Sequence, residues 1–257
     1  MTLTPALRDL YAQRRQHLAQ QLGPGGIALI PTAPSYPRNR DSEFPYRHDS
    51  YFYYLCGFTE PNAWLLITAE GGTTLLCQPK DLEREIWDGY RLGPEAAPAA
   101  LGVQHAVSSQ DIDQRLPRLL ENRQAVWFPF ATHEGLPQRI DGWLSQVRAR
   151  VRFGVQCPSQ QRDLCGLLDE MRLVKDDAEI AIMQRAADIS AAAHARAMRL
   201  SRAGLREYHL EAELLHEFRS NGSQSPAYGS IVATGANACV LHYRAGDRKS
   251  TRLNSSH

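Results

Sequence analysis

Apolar residues first recur with a helical period. Leu7, Leu10, Tyr11, Leu18 and Leu22 fall on one face, Thr4 can cap, and Pro5 suits a first helical position, so the pattern predicts a helix over 4–22. Gly23-Pro24-Gly25-Gly26 ends it. The unbroken apolar run Ile27 to Ile30 then predicts a buried strand. Residues 63–68 and 73–77 are strand-like and flank Glu70-Gly71-Gly72, a hairpin signal. Helices are predicted over 111–122 and 134–150, with a strand over 125–128 between them. This mixed order predicts an α/β domain over about residues 1–165.

The pattern changes near residue 170. Asp176 or Asp177 can cap a helix, and Glu179, three after Asp176, completes a capping-box pattern. Ile180, Met183, Ala187, Ala191, His194 and Met198 then fall on one helical face. A further helix is predicted over about 206–219, with Leu210, Leu214 and Phe218 on one stripe. Residues 226–243 predict strand, tight turn and strand, with His242 closing an apolar run and Gly235 and Asn237 supplying the turn. Beyond it, Arg244 to His257 offers only Ala245 and Leu253 as apolar residues. That segment cannot extend a buried sheet, and the expectation is a disordered, non-native tail on a truncated or frame-shifted chain.

Composition narrows the classes. The chain has 257 residues, 43% apolar and 22% charged, with a net charge of +1, which gives no bulk field for nucleic acid or membrane. The N-terminus lacks the apolar core of a signal peptide, and no run reaches membrane-span length. Five scattered cysteines without C-x-x-C spacing read as reduced thiols in a cytoplasmic protein.

Most candidate chemistry has a plainer reading. His209, Glu213 and His216 share a helical face that could hold a metal, yet Glu207, Glu211 and Glu217 around them fit a solvated charged face. His133-Glu134 and His216-Glu217 each begin an H-E-x-x-H motif, but Pro137 and Ser220 stand where the second histidine belongs. The aromatic run Phe44, Tyr46, Tyr51, Phe52, Tyr53, Tyr54 and Phe58 has only Arg47 among it, which fits packing better than base stacking. His242 reads either as a core-edge histidine or as a site residue, and residue type alone leaves both open.

Several ordered motifs resemble the Xaa-Pro aminopeptidase (aminopeptidase P) family of pita-bread metallopeptidases. Asp41 to Phe58 and Glu85 to Gly93 resemble its N-terminal domain, Glu170 to Ile180 the start of its catalytic domain, and Tyr228 to Tyr243 the approach to its active site. The resemblance implies an α/β (α+β) protein with a ribonuclease-H-like N-terminal domain over 1–168, the incomplete start of a pita-bread domain over 169–243, and a foreign tail over 244–257. It implies a metalloaminopeptidase that hydrolyses an N-terminal Xaa-Pro bond with two divalent metals, commonly Mn2+, which activate a bridging hydroxide. His242 would be catalytic. Tyr228 would stand behind the metal ligands, and Trp87 and Asp41 would meet substrate from a neighbouring subunit of a homo-oligomer. In the family the metal ligands follow the His-Tyr pair, so no residue of this chain is assigned as a ligand, and the chain as given is expected to be inactive. The alternatives are a prolidase-type dipeptidase fragment and a non-catalytic oligomerisation or regulatory module.

Overall fold

The structure, a computed structural model, describes residues 3–243. It divides into two compact units, one running to Leu173 and the other beginning at Val174. The first unit begins with α1 (Pro5–Gln21), whose N-cap Thr4 accepts from the Leu7 amide. Next come β1 (Gly26–Pro31), a small ribbon of β2 (Pro37–Asn39) and β3 (Ser42–Glu43), and α2 (Ser50–Cys56). They are followed by β4 (Trp64–Thr68), β5 (Thr73–Cys77), α3 (Leu82–Asp88), α4 (Gly93–Leu101) and β6 (His105–Ser108). The unit closes with α5 (Ile112–Leu120), β7 (Ala125–Phe128), α6 (Leu136–Arg148), β8 (Gln160–Asp163) and α7 (Cys165–Leu173).

Six strands form one mixed sheet in the order β6-β5-β4-β1-β7-β8. β1 runs antiparallel to β4 and parallel to β7, and the Glu70-Gly71-Gly72 turn joins the antiparallel pair β4 and β5. Every residue of β1 is buried because both faces of the sheet are covered. Ala28 and Ile30 join one apolar cluster with Leu18, Phe52, Leu101 and Leu168; Ile27 and Leu29 join the opposite cluster with Leu116, Ile140 and Trp143. The central strand was legible as an apolar run for this reason. β8 was not, since Gln160, Gln161, Arg162 and Asp163 are all exposed on the polar edge of the sheet.

Three local features fix this unit. Buried Arg14 and Arg15 on α1 donate to the carbonyls of Tyr54 and Leu55 in the last turn of α2, and Arg15 also donates to the Gly102 carbonyl. These arginines were not expected inside, but they satisfy helix-end acceptors that water cannot reach. Gly57 ends α2 at φ 65°, and a Cβ there would lie 2.6 Å from the Tyr11 ring, so glycine is required twice over. Most of the aromatic run packs as expected: Phe52, Tyr54 and Phe58 are buried, and the Tyr51 and Tyr54 hydroxyls donate to Asp169 and to the Met171 carbonyl on α7, whereas Phe44 is exposed. Thus α7 belongs to the first unit, and the compact boundary falls at 173/174, later than the 168/169 boundary read from the sequence.

The second unit contains α8 (Asp177–Leu200) and α9 (Glu207–Ser220). Asp176 and Glu179 form the expected capping box on α8. The face drawn from Ile180 to Met198 is exposed, however. Ala193 is the buried residue of α8, and Arg196, close by on the same helix, ion-pairs with Glu213 and Glu217 of α9. The predicted hairpin over 226–243 is also absent: the described residues there form a short 3-10 turn over Gly235–Cys239 and no strand. A lone two-stranded hairpin is marginal in water, and the described residues of this unit supply no third strand to support one. The expectation for residues 244–257 lies outside the described residues.

Candidate functional site

The second unit builds its most specific cluster around Glu207. This residue opens α9 and is only 1% exposed. Its Oε1 accepts from the Thr234 amide at 2.7 Å and from Asn237 Nδ2 at 3.1 Å; its Oε2 accepts from the Tyr243 hydroxyl at 2.7 Å. Asn237 Nδ2 also donates to the Tyr243 hydroxyl at 3.1 Å. Burial alone would push the carboxyl up, but the donors from Tyr243, Asn237 and Thr234 outweigh it and hold the group below the usual carboxylate range. Glu207 is therefore not part of the solvated charged face that its acidic neighbours suggest. The one available signal was its place three residues before Leu210 and seven before Leu214, in register with the apolar stripe. Its partners lie far along the chain, where local spacing cannot reveal them.

Asn237 also departs from the turn role expected of it. Gly235 takes the expected positive φ of 56°, but Asn237 does not; its side chain serves Glu207. His242 and Tyr228 are exposed, Tyr228 at 74%, so His242 is not a core-edge histidine among the described residues.

The other two candidates lie on the first unit. Asp41, in the turn between β2 and β3, lines an open groove of about 1010 Å³ together with Glu60, Asp81, Arg84, Asp88 and Tyr90. Trp87 lies on α3, between the groove-lining residues Arg84 and Asp88 of the same helix, and is 84% exposed. No residue of α3 is buried. The four candidates are thus divided between two units, with Asp41 and α3 sharing one groove.

The alternative metal-binding face on α9 does not assemble. Glu213 is engaged by Arg196 at 2.6 Å, and His209 Nδ1 accepts from the Arg206 amide at 3.0 Å as part of the helix cap. Among the described residues no three His, Cys, Asp or Glu side chains come together to hold an ion. The described residues therefore do not fit a two-metal centre, and no chemical step is derived through one. A half-buried acid elsewhere is likewise occupied: Asp49 caps α2 through the Phe52 amide and lies 3.5 Å from His133 Nε2.

Comparison with known proteins places this arrangement. Residues 11–127 match the aminopeptidase P N-terminal domain, and residues 181–256 match metallopeptidase family M24. The class is therefore that of M24-family proteins with an aminopeptidase P N-terminal domain: a mixed α/β N-terminal domain followed by part of a pita-bread domain. The Xaa-Pro aminopeptidase of Escherichia coli (strain K12) is 40% identical over 240 residues, which cover 92% of this chain and 54% of that protein. The structure of Pseudomonas aeruginosa aminopeptidase PepP superposes with a TM-score of 0.91 at 45% identity, covering 96% of this chain and 56% of that one. Zinc-substituted E. coli aminopeptidase P in complex with product also gives 0.91, at 38% identity, with coverage of 98% and 57%. The chain belongs to the aminopeptidase P family. It spans about half the length of the curated relatives it matches.

Proposed function

We propose that the protein, at the length of its relatives, is an aminopeptidase that releases the residue preceding proline from the N-terminus of peptides. The observation that carries this reading is the agreement of nearly the whole chain with P. aeruginosa aminopeptidase PepP at 45% identity. The prolidase and non-catalytic readings gain nothing from relatives named Xaa-Pro aminopeptidase. In this reading His242 meets the substrate near its scissile carbonyl, where a side-chain donor stabilises developing negative charge. Tyr228 stands behind that site, and its exposure leaves it free to do so. Trp87 and Asp41 meet substrate held by a neighbouring copy in a homo-oligomer; the bare apolar surface of α3 supports such a role.

The metal is proposed to be manganese, held as a pair by residues beyond those described. The proposed location is the cytoplasm, supported by five free cysteines. Among the described residues, no helix is long and apolar enough to cross a membrane.

The test uses the full-length protein with divalent metal added. Release of the first residue from Xaa-Pro tripeptides and longer peptides is expected; cleavage of Xaa-Pro dipeptides alone contradicts the reading and favours a prolidase. The 257-residue chain is expected to bind no metal pair tightly and to cleave nothing. Tight binding of two Mn2+ by that chain, with cleavage, overturns the placement of the ligands.

A further inference from the structure

The segment that carries His242 has no strand pairing to hold it among the described residues, yet it is tied at three points to one buried carboxylate. Thr234 precedes the 3-10 turn, Asn237 lies within it, and Tyr243 follows it, and all three donate to Glu207. Gly235, at φ 56°, lets the chain turn at the start of this stretch. An apolar side chain at position 207, in register with Leu210 and Leu214, would pack α9 without burying a charge. A carboxylate is the group that can collect a backbone amide, a side-chain amide and a phenol at once. Drawing Tyr243 onto Glu207 leaves the adjacent His242 facing solvent.

We infer that Glu207 is a positioning residue whose carboxylate clasps the 234–243 segment and so fixes the direction in which His242 is presented to substrate. The inference rests on the proposed peptidase reading for the role of His242, while the clasp itself is a property of this chain. Asn237 acts as a brace, since its amide touches both the carboxylate and the Tyr243 hydroxyl. Glu207 touches no reacting atom in this scheme and acts through the segment it holds.

Two measurements test it. In the 257-residue chain, hydrogen exchange read by mass spectrometry on a peptide covering 234–243 should quicken about tenfold or more in Glu207→Gln and in Tyr243→Phe, while peptides from α9 change by less than about threefold. Tyr243→Phe keeps both the carboxylate and the ring, so it decides the matter if Glu207→Gln loosens the whole unit. In the full-length enzyme, Glu207→Gln should lower kcat about tenfold with KM held within about threefold, and Glu207→Asp should recover part of the loss. Unchanged exchange of the 234–243 peptide in Tyr243→Phe, or an unchanged kcat in Glu207→Gln, overturns the inference. If the wild-type enzyme cleaves no Xaa-Pro peptide while the exchange changes appear, the peptidase reading fails and the clasp stands.

Discussion

The two units of this chain solve the same problem with unequal means. In the first, a six-stranded sheet has both faces covered, and each face has its own apolar cluster of fully buried side chains. In the second, two long helices bury little beyond Ala193 and Glu207, and Ile180, Ile182, Met183, Met198, Ile231 and Leu241 stay exposed. The first unit is held by apolar burial, which is insensitive to direction. Among the described residues, the second is held by directional polar contacts: Arg196 to Glu213 and Glu217 between the helices, and Glu207 to the segment beyond them. A helix pair with a bare apolar face is a framework that needs further cover, whereas a sheet enclosed on both sides does not.

The largest expected effect lies in the first unit. Trp143 is buried, packs edge-on against Trp64 and donates to Asp113, so Trp143→Ala should cost about 3–5 kcal/mol in denaturant unfolding of that unit. No substitution of a single apolar residue on α8 should approach this. Asp49→Ala should cost about 1–2 kcal/mol by uncapping α2. Burial pushes the Asp49 carboxyl up, but His133 and the Phe52 and Tyr51 amides outweigh it and hold the group below the usual range. The ionised form is therefore favoured on folding. Its contribution is full above the unfolded value near about pH 4 and is lost as the pH falls through the lower folded value. Asp49→Asn, which can still cap, should flatten this acid dependence in stability measured against pH.

Smaller effects belong to the second unit. Asp176→Ala removes the capping box and should reduce helix content at α8 by circular dichroism, at a cost of about 1 kcal/mol. Ile182→Lys, on the exposed face, should change stability by no more than about 0.5 kcal/mol while lowering light scattering from aggregates. Greater aggregation of Ile182→Lys than of the parent chain would mean that the bare α8 face is not the sticky surface.

Legibility in the sequence divides along the same line. The helix over 4–22, the strands at 27–30, 63–68, 73–77 and 125–128, and the Asp176 cap could all be read, because periodicity and capping are local. Edge strand β8 and the buried pair Arg14 and Arg15 could not, since an exposed strand shows no apolar alternation and a buried arginine is justified only by carbonyls 40 to 87 residues away. The hairpin expected over 226–243 failed for a related reason: strand propensity needs a neighbouring strand, and the described residues of the second unit supply none. Of the candidate site, His242, Tyr228, Trp87 and Asp41 came from motif resemblance, and their exposure is what the structure adds. Glu207 escaped because an acid near other acids looks solvated until its three distant donors are known.

Native-state hydrogen exchange on the whole chain tests the contrast between the units most directly. Amides of β1 and β4, such as those of Leu29 and Leu65, should exchange only through global unfolding of their unit, and those in the middle of α8 and α9 should open at least about 2 kcal/mol more easily. Equal protection in α8 and in β1 would contradict the account, because it would mean that the second unit holds itself together as firmly as the enclosed sheet.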